Sequence, residues 1–183
     1  MMTKRFGLYA LLVGLAALTA APGAMAADLD IKAFFGKFEG GGVAKNDDSL
    51  YFGVTARDFD VAIAPEGSGF SVAWTSVIRG GGTPGNPDVR RKSSSLTFVP
   101  GNRPAVWRAV TSGDPVAGAE AAWARITGNT LSVYLMIVRD DGAYEIQKYD
   151  RTLSISGMEL TFTRIRDGEE VRSVKGRLVK VAR

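Results

Sequence analysis

The chain of 183 residues contains neither cysteine nor histidine. Those two absences remove more chemistry than any motif adds. Without imidazole, the Ser-His-Asp and Cys-His nucleophile systems cannot be assembled. Without imidazole or thiolate, zinc and copper sites on those ligands, iron–sulfur clusters and His- or Cys-ligated haem are excluded. No cofactor is expected. No disulfide can staple the fold, so a hydrophobic core must hold it. Apolar runs are short throughout, and none reaches the ~20 residues a membrane-spanning helix needs. What survives is carboxylate chemistry, oxygen-ligand metals, Tyr or Lys nucleophiles, and plain binding.

The first 26 residues have the layout of an export signal. Lys4 and Arg5 form a basic start, Phe6 to Ala21 an apolar run, and Ala24-Met25-Ala26 a small-x-small cleavage site. The mature chain is expected to start near Ala27, in the periplasm or outside the cell, without the cysteine a lipoprotein anchor uses. Residues 27–183 then form one domain. Losing Lys4 and Arg5 leaves 21 basic against 19 acidic residues, a net charge of +2. That balance gives no footprint for nucleic acid.

The mature sequence reads as strands between turns. Phe59, Val61 and Ile63 alternate with Asp58, Asp60 and Ala62, and Glu66-Gly67-Ser68-Gly69 turns the chain into Phe70 to Arg79. Gly80 to Pro87 reads as a loop, because its prolines remove ladder donors and its glycines resist ordering. Further strands are expected at Leu50 to Thr55, 92–99, 105–111, 119–127, 130–139, 143–153, 158–166 and 170–181, with one more around Phe38 and a short helix near Asp28 to Phe35. Strands joined by short turns pair antiparallel with their sequence neighbours. The expected fold is all-β: an up-and-down antiparallel meander of about 8–10 strands that closes, because closure removes exposed edges.

Gly36-Lys37-Phe38 on the first strand resembles the Gly-x-Trp of the calycin superfamily, the lipocalin-like and fatty-acid-binding-like barrels, with Phe in place of Trp. That resemblance implies a barrel in which the aromatic packs beneath the sheet against an arginine, Arg164 or Arg177, and in which a ligand is held inside.

Candidate site residues follow from the inward faces of such a barrel. Trp74, Trp107, Trp123, Tyr134 and Phe162 supply the aromatic contact area of an apolar pocket, or else simply fill the core. Arg108 shares a strand face with Val106, and Arg164 with Leu160 and Phe162. An inward arginine either forks onto the carboxylate or phosphate of an amphiphile, pairs with Asp58, Asp60 or Glu120, or lies at the strand's wet end. Asp58 and Asp60 share a face and are the remaining carboxylate pair for acid–base work. Asp140-Asp141-Gly142 reads as a hairpin turn rather than a cation loop. Basic residues at Arg90-Arg91-Lys92 and along the last hairpin read as a solvated face or a contact for anionic envelope surfaces. The leading expectation is an exported module that binds a small apolar or amphipathic molecule. The alternative is a filled, non-enzymatic barrel that meets an envelope partner through Gly80 to Pro87.

Overall fold

The computed structural model describes residues 27–46, 55–83 and 85–182. The expected signal segment and most of Leu50 to Thr55 lie outside the described residues. Among the described residues, ten strands form one antiparallel meander that closes into a barrel. They are β1 (Gly36–Asn46), β2 (Thr55–Glu66), β3 (Gly69–Thr83), β4 (Asn86–Pro100), β5 (Val106–Ala109), β6 (Ala121–Thr127), β7 (Thr130–Val138), β8 (Tyr144–Ser154), β9 (Gly157–Arg166) and β10 (Glu169–Ala182). Each strand pairs with its sequence neighbours, and β1 closes the ring on β10 with Gly40 opposite Leu178 and Gly42 opposite Gly176.

Local chemistry sets the turns. Asp167 and Gly168 both hold positive φ, 49° and 89°, which is the backbone of the two-residue turn that suits the right-handed twist of β9 and β10. Asp141 Oδ1 accepts a hydrogen bond from Ala143 N at 3.0 Å, so that acidic pair shapes the β7–β8 hairpin. The stretch 119–127, where alanine favours helix, is β6 from Ala121. Its alternate residues Ala122, Ala124 and Ile126 are buried, and that burial decides against helix.

The loop expected at Gly80 to Pro87 is instead the tip of a long hairpin. β3 runs on to Thr83 and β4 begins at Asn86, with Gly82 opposite Pro87 and a register shift after Arg79. The bulge absorbs the glycines. Proline is tolerated because β5 pairs only with Phe98 to Pro100 of β4, so no strand draws on a donor from Pro87 on that side. The unshared edge carries Asp88, Arg90, Arg91 and Lys92, charges that discourage edge-to-edge association.

One end of the barrel is closed by the N-terminal stretch. A short 3-10 helix, Ile31–Phe34, is capped by Asp30, whose carboxylate accepts from Lys32 N at 2.8 Å. Asp28 and Leu29 tie this segment to Gly128 by hydrogen bonds of 2.7 and 2.8 Å. Phe34 is thereby driven fully into the barrel end, where it joins Phe38, Ile63, Phe70, Phe98, Leu131, Met158 and Leu178 in one apolar cluster. Phe70 stacks on Phe98 at 5.0 Å and takes the edge of Trp107 at 5.4 Å. Phe38 sits buried in this floor, but the cation over its ring is Lys180 at 5.5 Å. Neither arginine proposed for that place is there. Arg164 lies toward the other end of β9, and Arg177 faces out, 3.8 Å from Glu159.

Candidate functional site

Period-two alternation carries one face of every strand inward, and the inward residues change character along the barrel axis. The floor half is apolar. In the opposite half β2 supplies Arg57, β3 Ser76, β8 Gln147, β9 Arg164 and β10 Arg172, and these surround a cavity of about 100 Å³. Its deeper wall is Phe59, Val61, Trp74, Tyr149, Leu160 and Phe162. Trp74 on β3 reaches Tyr149 on β8 with ring centroids 5.0 Å apart, and Tyr149 reaches Phe162 at 4.8 Å. These three rings form a plug that separates the filled floor from the cavity.

Beneath the plug lies Arg151. Its inward direction follows from its register, opposite Leu131 on β7 and Leu160 on β9. The side chain is 0% exposed, and none of its three guanidinium nitrogens has a hydrogen-bond partner. Its compensation is the ring faces of Trp74 at 5.3 Å and Tyr149 at 5.6 Å. Burial pulls its pKa down to about 10, which still leaves it cationic at neutral pH. Burial likewise pushes the Tyr149 phenol up, so it stays protonated, donating to Gln147 Oε1 at 3.0 Å.

Glu145 organises the rim. Its carboxylate lies 3.2 Å from Arg164 Nε, 3.5 Å from Arg166 and 3.8 Å from Arg139, and it accepts from Gln147 at 2.9 Å. Burial raises its pKa, but the Gln147 hydrogen bond and the charges of Arg164 and Arg166 outweigh that and hold it below the usual range. A carboxyl with a depressed folded pKa stabilises above its unfolded pKa and loses that contribution as pH falls through the folded value. Glu145→Gln is therefore expected to cost about 1 kcal/mol at pH 7, a difference that fades below about pH 4. Urea titrations of both proteins across pH 3–8 check this, and a gap that does not shrink toward pH 3 would refute the network's role.

The structure brings only part of the sequence-derived set together. Trp74, Phe162 and Arg164 line the cavity, with Arg164 paired to Glu145 rather than to Asp58, Asp60 or Glu120. Trp107 packs in the floor, away from the cavity. Arg108 does not share an inward face with an apolar neighbour as expected. It is exposed, because β5 turns Trp107 and Ala109 inward. Trp123 and Tyr134 are on the outer face, since Ala122, Ala124, Leu131 and Val133 occupy the interior of β6 and β7. There the two rings stack at 4.9 Å and 6°, with Lys148 5.9 Å over Tyr134, so their faces are already used. Asp60 is exposed opposite Glu39 and Thr75 on the outer surface, and Asp58 shares that face, remote from the cavity.

The residues missed by sequence reasoning are Arg57, Glu145, Arg151 and Arg172. The alternation Tyr149-x-Arg151-x-Leu153 placed Arg151 on an apolar face, and that was its available signal. No protein-family model matches the chain, and no curated protein matches it.

Proposed function

We propose that the chain is an exported, calycin-like binding module for a small amphipathic molecule, working in the periplasm or outside the cell. The observation that carries this reading is the two-sided cavity. Its deep wall is aromatic and aliphatic, and its rim is polar and charged, which is the lining that orients an amphiphile. At about 100 Å³ the space seats a small group or the end of a short chain. A long acyl chain would need the Trp74–Tyr149 plug to move aside. The outer wall supports an aqueous setting, since Asp60, Arg125, Lys148 and Asp150 interrupt any lipid-facing apolar band. No helix among the described residues is long and apolar enough to cross a membrane. The calycin-like reading rests on the closed meander and on Phe38 at its closed end.

A second reading, a filled barrel that acts through its surface, is favoured by the close packing of the floor half. Fluorescence separates the two. Titration with fractionated envelope lipid extract should change the tryptophan emission of the wild type and of Trp123→Phe, but not of Trp74→Phe, because Trp74 alone of the tryptophans lines the cavity. Binding at a hundred times Kd adds about 2.7 kcal/mol, visible as a rise of roughly 5–10 °C in Tm. Silence of all fractions in both assays would leave the filled barrel as the better account.

A further inference from the structure

We infer that the cavity selects an oxyanion, a carboxylate or a phosphoryl group, as the polar end of its ligand, with Arg57 and Ser76 as its recognition groups. This rests on the reading of the barrel as a binding module and names the chemistry of its guest.

Three observations converge. First, the charge among the described lining residues has one sign. Arg57, Lys92, Arg164 and Arg172 are among the described lining residues, and no carboxylate is. Glu145, on the neighbouring rim, is already shared among Arg139, Arg164 and Arg166. Second, two buried polar atoms on this wall lack partners, Arg57 Nε and Ser76 Oγ. A buried donor without an acceptor costs free energy that a bound oxygen would return. The residues are near neighbours, since Ser76 stands opposite Phe59, two positions along β2 from Arg57, and both face inward. Third, burial and the adjacent charge of Arg172 both disfavour the charge on Arg57. An anion relieves that repulsion, whereas a neutral or cationic head group does not.

The guanidinium fork offers two parallel N–H donors to an oxyanion, and the serine hydroxyl supplies a third from the adjoining strand. The apolar remainder of the guest then faces Trp74 and Phe162. The same arrangement serves a carboxylate or a phosphoryl group, so the probes must distinguish them.

The test uses hexanoate, hexyl phosphate and hexanol at equal ionic strength on the mature protein, read by Trp74 emission and by calorimetry. Both anions are expected to bind about tenfold or more tightly than hexanol, and the tighter of the two identifies the preferred head group. Arg57→Gln should bring the anions down to the affinity of hexanol while leaving hexanol unchanged, and Ser76→Ala should cost the anions about threefold or more. Far-ultraviolet circular dichroism and the thermal unfolding transition are the controls that Arg57→Gln has folded. Hexanol binding as tightly as hexanoate would overturn the oxyanion inference and leave the amphiphile module standing. Failure of all three probes would overturn both.

Discussion

Gly42→Ala is expected to lower Tm by on the order of 10 °C, corresponding to about 3 kcal/mol or more. Gly40 and Gly42 lie on β1, whose pairing with β10 closes the barrel. A Cβ on Gly42 would collide with the carbonyl oxygen of Lys175 and stand 2.6 Å from the Cα of Gly176. A Cβ on Gly40 would collide with the carbonyl oxygen of Arg177 and stand 2.8 Å from the Cα of Leu178. Every obstacle is backbone. No rotamer relieves it, and the only escape is for β1 and β10 to part, which gives up ladder hydrogen bonds and creates the edges that closure removed. Gly176→Ala is the graded comparison. Its nearest obstacles are Gly41 O at 3.1 Å and the Phe59 ring at 3.1 Å, and a ring can shift by the required few tenths of an ångström. Its expected cost is about 1 kcal/mol, so the order Gly42→Ala well above Gly176→Ala matters more than either value. Chemical denaturation followed by far-ultraviolet circular dichroism measures both. Gly42→Ala within about 0.5 kcal/mol of the wild type would mean that the seam is not shut by close backbone approach.

That seam shows where sequence patterning stops. The strands themselves were legible, because alternation in 57–64, 70–79 and 130–139 is a local property of a half-buried sheet. Closure is also foreseeable from a long meander that must hide its edges. The direction of each face is harder. In β5, Val106 and Arg108 alternate with Trp107 and Ala109, and either set satisfies period two. Only the neighbours Phe70 and Ala124 decide that Trp107 turns inward. Trp123 and Tyr134 look like pocket aromatics by residue type, yet Leu131, Val133 and Leu135 already fill the interior of β7. Arg164 and Arg172 stand opposite each other on the neighbouring strands β9 and β10, but Arg57 comes from β2, and its meeting with them depends on closure of the ring through β1. Long-range register leaves no mark in a single sequence. Gly80 to Pro87 failed for the opposite reason. Its residues do oppose a strand, but β4 has an unshared edge there that excuses the proline.

Arg151→Met should make the protein more stable by about 1–3 kcal/mol, raising Tm by roughly 3–8 °C. The charge is fully buried with no hydrogen-bond acceptor. Burial's pull on its pKa, down to about 10 from the ordinary arginine value, corresponds to about 3 kcal/mol by which the folded state disfavours the cation. The faces of Trp74 and Tyr149 together return about 1–2 kcal/mol of that cost, but they offer no oxygen to any of its donors. Methionine keeps an unbranched apolar stem beside the rings, two atoms shorter than arginine, and removes the charge together with the guanidinium contacts. The pH dependence follows from the sign of the shift. A base with a depressed folded pKa is penalised wherever it is protonated in both states, so the gain from Arg151→Met should be level from pH 5 to about pH 9. It should shrink as pH rises above about 10, where the folded wild type begins to release a proton that its unfolded state retains. Differential scanning calorimetry of the pair over that range measures it, and a lower Tm for Arg151→Met would show that the ring contacts outweigh the burial of the charge. Hexanoate affinity then assigns the residue its role. An unchanged value leaves Arg151 as packing beneath the Trp74–Tyr149 plug, whereas weaker anion binding by the stabler variant makes its charge the deep end of the field that draws an oxyanion inward.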